Sequence, residues 1–158
     1  MPTVLITDDE ADHRELLTLA LHRLGYEVVA AENAAEAFAI LCGGGIDAVL
    51  TDVRMPGESG VELCRRIRDD PRTESIPVMM VSADVQRTQI TAALHAGADD
   101  FLPKPFSRAE LTARLNNLMR PCAKPALRSA LAARAAVLAA RQSLPTPQPV
   151  SRPLRRIA

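Results

Sequence analysis

The sequence predicts an α/β protein with a doubly wound sheet of five parallel strands, and three observations support this fold class. Five apolar runs alternate with amphipathic segments between residues 3 and 119, the pattern of strands joined by helical crossovers. The run at residues 76–81 is apolar without interruption, as in a strand that is buried on both faces. Three segments begin with a capping residue followed three positions later by Glu, which marks helix starts after Asn33, Ser59 and Ser107.

The first half of the chain is predicted to contain three strands and two helices. In chain order these are strand 3–7, helix 11–24, strand 27–31, a helix from Asn33 to the glycines at 43–45, and strand 46–51. Leucines and alanines recur on one face of the first helix, which makes it amphipathic. Gly25 follows that helix and suits the left-handed conformation with which helices commonly end.

The second half repeats the alternation of helix and strand. The predicted elements are a helix from Ser59 to about residue 69, strand 76–81, helix 86–96, strand 100–102, and a helix from Ser107 to about residue 119. Gly97 is expected to stop the fourth helix, and Pro121 limits the fifth.

Composition describes one folded domain with an aliphatic core. The chain has 158 residues, 47% hydrophobic and only 3% aromatic, so Val, Ile, Leu and Ala must fill the interior. Three cysteines without metal-ligand spacing favour a reducing, cytoplasmic location. No apolar stretch reaches membrane-spanning length, and no basic segment with a following apolar run precedes the first strand, so neither a membrane anchor nor a signal peptide is expected.

The net charge of zero conceals a strong asymmetry. All 19 acidic residues lie between Asp8 and Glu110, whereas eight of the 19 basic residues lie from Arg120 onward, giving net charges of −8 and +8. We therefore expect a folded domain at residues 1–120 and a basic tail at 121–158, with a helix near 126–143 followed by a disordered Pro-rich end. The tail has no helix-turn-helix pattern and no aromatics for stacking, so nucleic acid is not its expected partner.

Polar side chains follow the predicted strands where each strand ends. Asp8 and Asp9 follow the first strand, Asp52 the third, Ser82 ends the fourth, and Lys104 follows the fifth. The carboxyl ends of parallel strands meet at one edge of an open sheet, so these groups should share a crevice. Three close carboxylates repel one another unless a cation lies among them, and Mg²⁺ is the simplest hard cation with a preference for oxygen ligands.

Four motifs in order resemble the response-regulator receiver domain of two-component signalling, over residues 1–119. They are residues 4–9, 50–60, 81–83 and 100–105. The resemblance implies the flavodoxin-like (βα)5 receiver fold and a phosphorylation-dependent signalling switch. It also implies a protein that catalyses only its own phosphorylation and dephosphorylation.

The resemblance assigns roles to the residues at the strand ends. Asp52 would accept a phosphoryl group from a sensor histidine kinase or a phosphotransfer protein. Mg²⁺ would be held by Asp9 and Asp52, by Asp8 through a water, and by the main-chain carbonyl of Arg54. Lys104 is expected to contact one phosphoryl oxygen.

Ser82 and Phe101 occupy the positions of the family's switch residues. Ser82 offers its hydroxyl to a phosphoryl oxygen, whereas Phe101 lacks the hydroxyl of the Tyr often found there. The resemblance implies output through the face of the fourth helix, fifth strand and fifth helix, by binding an unknown partner or by homodimerisation. It also implies a cis peptide bond between Lys104 and Pro105. The charges that resemble those of a dimer in one receiver subfamily are Asp99, Asp100, Glu110 and Arg114.

Several other residues and several other functions are compatible with parts of this sequence. Arg54 and Asp84 stand two residues past Asp52 and Ser82, where opposite charges could bridge the site. The histidines at 13, 22 and 95 are dispersed and are expected to be surface or helix-end residues. An aspartyl phosphatase would need a carboxylate at position 54, which is Arg. The remaining alternatives are the receiver part of a longer response regulator and a nucleic-acid-binding regulator that acts through its tail.

Overall fold

Five strands and five helices alternate along the part of the chain that the structure, a computed structural model, describes, which is residues 1–120. The elements are β1 Thr3–Thr7, α1 Ala11–Arg23, β2 Glu27–Ala31, α2 Ala34–Cys42, β3 Ala48–Thr51, α3 Gly60–Asp69, β4 Val78–Ser82, α4 Arg87–His95, β5 Asp100–Pro103 and α5 Arg108–Leu118. The helix expected near 126–143 and the rest of the basic tail lie outside the described residues.

The five strands form one parallel sheet in the order β2-β1-β3-β4-β5, which confirms the predicted fold class. The chain moves outward from β1 to β2 and then in the opposite direction from β1 through β3, so the strand order reverses beside β1 and β3. Ligands of open α/β sheets bind in the crevice at such a reversal. Thr7 lies opposite both Ala31 and Thr51, so β1, β2 and β3 end at one level. The residues after these strands therefore face the same crevice.

Two strands begin later than the sequence pattern suggests. β3 begins at Ala48 instead of residue 46, and Asp47 just before it accepts a hydrogen bond on Oδ2 from the Thr3 amide at 2.7 Å. β4 begins at Val78, after Pro77, because proline has no N–H to donate to a neighbouring strand. β4 also continues to Ser82, which pairs with Pro103 of β5. The apolar character of residues 46 and 76 therefore reflects packing against the core and not membership of a strand.

Side chains of the central strands point alternately into two apolar layers. Leu5, Val49 and Met80 pack beneath α2, α3 and α4. Ile6 and Leu50 lie on the opposite face, with α1 and α5. Full burial of each such side chain stabilises the fold by about 1.5–3 kcal/mol. None of the helices within residues 1–120 is long and apolar enough to cross a membrane.

The three predicted helix starts are capped by the predicted side chains, but only one forms a reciprocal box. Ser59 accepts a hydrogen bond from the Glu62 amide, and the Glu62 carboxylate accepts one from the Ser59 amide. Asn33 and Ser107 also cap their helices. The Glu36 carboxylate instead accepts from the amide of Glu32, one residue before the cap, so the predicted box at α2 is shifted by one position.

Candidate functional site

The ends of β1 and β3 place Asp8 and Asp52 side by side in the crevice. The Asp52 amide donates to the Thr7 carbonyl at 2.9 Å, and the Asp8 amide donates to the Ala31 carbonyl at 3.3 Å. These main-chain bonds extend the parallel pairing by one residue and fix both side chains at the edge of the sheet. Asp8 is buried, with 5% of its surface exposed, and Asp52 is partly exposed.

The Lys104 ammonium lies between these two carboxylates. Its Nζ is 2.9 Å from Asp8 Oδ2 and 3.5 Å from Asp52 Oδ2. The Lys104 amide donates to the Ser82 carbonyl at 2.9 Å, and the Lys104–Pro105 peptide bond is cis, as the resemblance implied. The positive charge offsets the repulsion between the carboxylates, and it lies where an oxygen attached to Asp52 can contact it.

His13 lies in the first turn of α1, a helix-end position as expected, and it also joins this cluster, which was not expected from the sequence. Its Nδ1 lies 3.2 Å from Lys104 Nζ and 3.5 Å from Asp8 Oδ2, and its Nε2 lies 3.3 Å from Glu10 Oε2. Ligand atoms of Asp8, His13 and Asp52 all lie within 4.8 Å of one another. The signal in the sequence was the place of His13 in the first turn of α1, four residues after Asp9. His22 and His95 are exposed, as expected.

Asp9 lies outside the cluster of ligand atoms that Asp8, His13 and Asp52 form beside Lys104. It is exposed and lines an open groove of about 560 Å³ together with Val53 and Arg54. The Arg54 amide donates to Asp52 Oδ1 at 3.3 Å, whereas Asp52 Oδ2 lies 3.5 Å from Lys104 Nζ. The two oxygens of Asp52 therefore have different partners, one a main-chain amide and the other an ammonium.

Ser82 and Asp84 form the wall of the site contributed by β4. The Ser82 hydroxyl is buried and accepts a hydrogen bond from the Asp84 amide at 3.1 Å. Asp84 Oδ2 lies 2.6 Å from Arg54 Nη2, so the bridge expected between these positions is present. No donor among the described residues is aligned with Asp84 Oδ2, so the contact is an ion pair without hydrogen-bond geometry. Within residues 1–120, the hydrogen bonds of Ser82 link it to Asp84 and Lys104, and none reaches Asp52.

The loop after Asp52 depends on glycine at position 60. A Cβ at Gly60 would overlap the Asp52 carbonyl oxygen and approach the Val53 Cα. The Gly60 amide donates to the Val53 carbonyl at 2.9 Å, and Ser59 caps α3 directly before it. The beginning of α3 thus packs against the backbone that carries Asp52.

Comparison with known proteins now decides the family. The sequence profile described as the response regulator receiver domain matches residues 4–116. This chain belongs to that family. As a receiver domain of two-component signalling it is a phosphorylation-dependent switch, and the receiver fold expected from the four motifs is confirmed.

Several relatives of this receiver are transcriptional regulators. It is 43% identical over 118 residues to the phosphate regulon transcriptional regulatory protein PhoB of Pseudomonas aeruginosa, covering 75% of this chain and 52% of that protein. It is 38% identical over 117 residues to the transcriptional regulatory protein ResD of Bacillus subtilis, covering 74% of this chain and 48% of ResD. The chain thus spans about half the length of the curated relatives it matches.

Solved structures of other receivers are similar throughout the described fold. A response regulator receiver protein from Pseudomonas putida matches with a TM-score of 0.69 and 37% identity, covering 73% of this chain and 96% of that one. The chemotaxis protein CheY4 of Vibrio cholerae matches with a TM-score of 0.71 and 28% identity, covering 75% of this chain and 98% of that one.

In this receiver Phe101 is buried beside α4. It is 5% exposed and packs in the apolar layer that contains Ala93, Ala96 and Ala98, with Ile90 against that layer. Apolar contact therefore holds the ring inside without a hydroxyl.

A second cavity, of about 430 Å³, lies on the α1 side of the site, where its lining includes Leu16 and Phe106.

Proposed function

We propose that Asp52 is the phosphoryl acceptor of this receiver and that a histidine kinase or a phosphotransfer protein is the donor. The observation that supports this assignment is the Lys104 ammonium, 3.5 Å from Asp52 Oδ2 and 2.9 Å from Asp8 Oδ2, at the reversal of strand order. A carboxylate is a competent nucleophile that forms an acyl phosphate. Catalysis of phosphoryl transfer consists mainly of positioning and of neutralising the charge on the transferred oxygens.

Mg²⁺ is the metal that suits the oxygen donors of these residues. Asp9 and Asp52 would bind it directly, Asp8 through a water, and Arg54 through its main-chain carbonyl. The donors fit, because all are hard oxygens, because ligand atoms of Asp8 and Asp52 lie within 4.8 Å of each other, and because Asp9 is exposed and lines the same groove as Arg54. When bound, the ion would supply positive charge to the phosphoryl oxygens. The chain's own part is to hold the Asp52 carboxylate beside the Lys104 ammonium.

Ser82 and Lys104 are the residues that would contact the phosphoryl oxygens. Lys104 supplies a point charge for one oxygen, and the Ser82 hydroxyl supplies one donor for another. In the present structure the Ser82 hydroxyl accepts from the Asp84 amide, which leaves its own hydrogen free to turn toward a phosphoryl oxygen. Since Ser82 ends β4 and Asp84 begins the path to α4, such a bond would bias the backbone that leads to α4.

The acceptor assignment is tested by intact mass after incubation with Mg²⁺ and a small acyl-phosphate donor. The wild-type chain should gain the mass of one acid-labile phosphate, and Asp52→Asn should gain none. Asp69→Asn, an exposed acid in the last turn of α3, serves as the matched control and should behave as wild type. A labile phosphate that persists on Asp52→Asn would assign the acceptor elsewhere.

Output is proposed to pass through the face of α4, β5 and α5, with Ser82 and Phe101 as the switch residues. The resemblance to dimer-forming charges is weakened at Asp99, because this residue is buried and accepts hydrogen bonds from the Val78 amide at 2.9 Å and from Arg68 at 2.8 Å. Asp100 and Arg114 remain on the face, 2.7 Å apart within one chain. Light scattering with and without beryllofluoride distinguishes a phosphorylation-dependent dimer from a monomer that binds another partner.

Enzymatic turnover of external phosphate esters is not proposed for this receiver. An aspartyl phosphatase needs a second carboxylate as acid and base near the nucleophile, and position 54 holds an Arg that is paired with Asp84. We propose that the only catalysed reactions are phosphorylation and dephosphorylation of Asp52 itself. A role in nucleic-acid binding would fall on residues 121–158, outside the described residues.

A further inference from the structure

We propose that His13 is a positioning residue for Lys104, holding its ammonium so that one N–H is directed at the phosphoryl group on Asp52. The proposal rests on the assignment of Asp52 as the acceptor and adds a residue that the family's motifs do not contain. Three side-chain atoms lie near Lys104 Nζ: Asp8 Oδ2 at 2.9 Å, His13 Nδ1 at 3.2 Å and Asp52 Oδ2 at 3.5 Å. An ammonium group has three donors and no acceptor, so the number of contacts matches the number of its hydrogens.

The contacts of the imidazole assign its tautomer. A hydrogen bond between Lys104 and His13 requires a lone pair on Nδ1, because Nζ can only donate. The ring proton is then on Nε2, which lies 3.3 Å from the Glu10 carboxylate, an acceptor only. Asp8 Oδ2, at 3.5 Å from Nδ1, would favour the opposite form, but Glu10 lies closer to its own ring nitrogen, at 3.3 Å, and so favours the form of His13 that can accept from Lys104.

A neutral acceptor orients the Lys104 ammonium without the added negative charge that a third carboxylate would bring. His13 takes one N–H without adding negative charge to a crevice that already holds Asp8 and Asp52. It also holds Nζ on the α1 side, so the contact with Asp52 remains the longest of the three. An oxygen of a phosphoryl group on Asp52 would extend beyond the carboxylate, toward the third N–H. The Lys104 N–H is thus oriented before negative charge develops on the transferred phosphoryl group. Such preorganised donors lower the barrier to phosphoryl transfer effectively.

Four variants separate this role from a merely structural one. His13→Leu keeps bulk and removes the acceptor. His13→Asn places an oxygen near the position of Nδ1, whereas His13→Gln places its amide near the position of Nε2. His22→Leu, an exposed histidine farther along α1, is the matched control.

The first measurement is the rate of phosphorylation by a small acyl-phosphate donor. We expect His13→Leu to be slower by about three- to tenfold, the net effect of one ordinary hydrogen bond, because the partly exposed imidazole is screened by solvent. His13→Asn should lie within about twofold of wild type, and His13→Gln should resemble His13→Leu. In a Lys104→Met background the substitution His13→Leu should have no further effect, because the partner through which it acts is gone. Equal losses with and without Lys104, or rescue by Gln as complete as by Asn, would overturn the proposal.

The second measurement does not require phosphorylation. Long-range ¹H–¹⁵N correlation spectra of the unphosphorylated chain at mildly alkaline pH should show a protonated Nε2 and an unprotonated Nδ1 on His13. The ¹⁵Nζ resonance of Lys104 should shift in His13→Leu and stay near its wild-type position in His13→Asn. A Nδ1-protonated tautomer excludes the hydrogen bond and refutes the role of His13. Phosphate on Asp52→Asn, with these spectra as expected, would instead refute the acceptor assignment alone. Thermal unfolding of each variant identifies any that fails to fold. If His13→Leu does not fold, the phosphorylation rate of His13→Asn and the spectra of the wild-type chain test the proposal.

Discussion

The guanidinium of Arg54, two residues past Asp52, lies 2.6 Å from the carboxylate of Asp84, two residues past Ser82. Arg54 belongs to the loop after β3 and Asp84 to the loop after β4, so the pair connects two strand ends. Asp84 is largely buried, whereas 69% of the Arg54 side chain is exposed. The charge of such an exposed group is screened, and the pair contributes about 0–1 kcal/mol to stability. What the pair can do beyond this is keep the Arg54 side chain next to the end of β4.

We predict that Arg54 slows spontaneous loss of the phosphoryl group. Water must approach phosphorus in line with the Asp52 oxygen, and the side chain held next to the site would obstruct part of that path. Arg54→Ala should therefore dephosphorylate about two- to fivefold faster, and Arg54→Met, which keeps bulk without charge, should stay near wild type. The half-life of the acyl phosphate is the measurement. Arg65→Ala, an exposed Arg on the same groove, is the control. If Arg54→Ala loses phosphate no faster than this control, the pair has no role in the lifetime.

A second prediction concerns Mg²⁺. Asp9 is exposed at the groove, whereas Asp8 is already paired with Lys104 at 2.9 Å. A carboxylate that binds the ion directly contributes more than one that acts through a water. Asp9→Asn should therefore raise the Kd for Mg²⁺ more than Asp8→Asn does, with a difference of about tenfold, or 1.4 kcal/mol. Isothermal titration of both variants measures the difference. Equal weakening would place both carboxylates in the same role.

A third prediction concerns the backbone that carries Asp52. Gly60→Ala introduces a Cβ that overlaps the Asp52 carbonyl oxygen, so β3 and α3 must move apart. Such overpacking typically costs about 1–3 kcal/mol of unfolding free energy. We also expect slower phosphorylation, because the displaced backbone is that of the acceptor. Gly43→Ala is the control, since its φ is −74° and the nearest neighbour of its Cβ would be the Ile40 carbonyl oxygen, at 3.3 Å. Urea unfolding that gives equal stabilities for the two variants would contradict this account.

The fourth prediction is a pH dependence set by Asp100. Burial raises the pKa of this carboxyl above 3.8, and the nearby Arg114 opposes the shift only in part. A raised carboxyl pKa means that the folded state holds its proton more tightly. The resulting stability is fully present below pH 3.8 and is lost as the pH rises through the folded-state pKa.

The measurement compares the wild type with Asp100→Asn, which cannot ionise at this position. The unfolding free energy of the wild type relative to this variant should therefore fall as the pH rises from the acid side to neutrality. Urea unfolding at several pH values gives the difference directly. Glu110→Gln, exposed on the same helix as Arg114, is the control for charge removal at the surface. A difference that grows with pH would show that Arg114 outweighs the burial of Asp100.

Many of the helix starts and helix ends of this receiver depend only on neighbouring residues and could therefore be predicted from the sequence. Ser59 and Glu62 are three residues apart, and their reciprocal hydrogen bonds require only the first turn of α3. Gly25 and Gly97 follow α1 and α4 with φ values of +91° and +100°, which a residue without a Cβ adopts most easily. The boundaries that shifted, at β3 and β4, depend on which amides find a partner in the neighbouring strand, and hydrophobicity alone does not specify that.

The arrangement of the site is likewise determined in part by the sequence and in part by the tertiary structure. That Asp8, Asp52, Ser82 and Lys104 gather at one edge follows from their places after parallel strands, because such strands all end on the same side. The contacts that each side-chain atom makes cannot be predicted from these places, because strand order, register and helix orientation together determine them. Lys104 approaches Asp8 more closely than Asp52, and it does so with His13 of α1 as its third neighbour. Residues that are 91 positions apart come into contact here, and no local pattern specifies a distance between them.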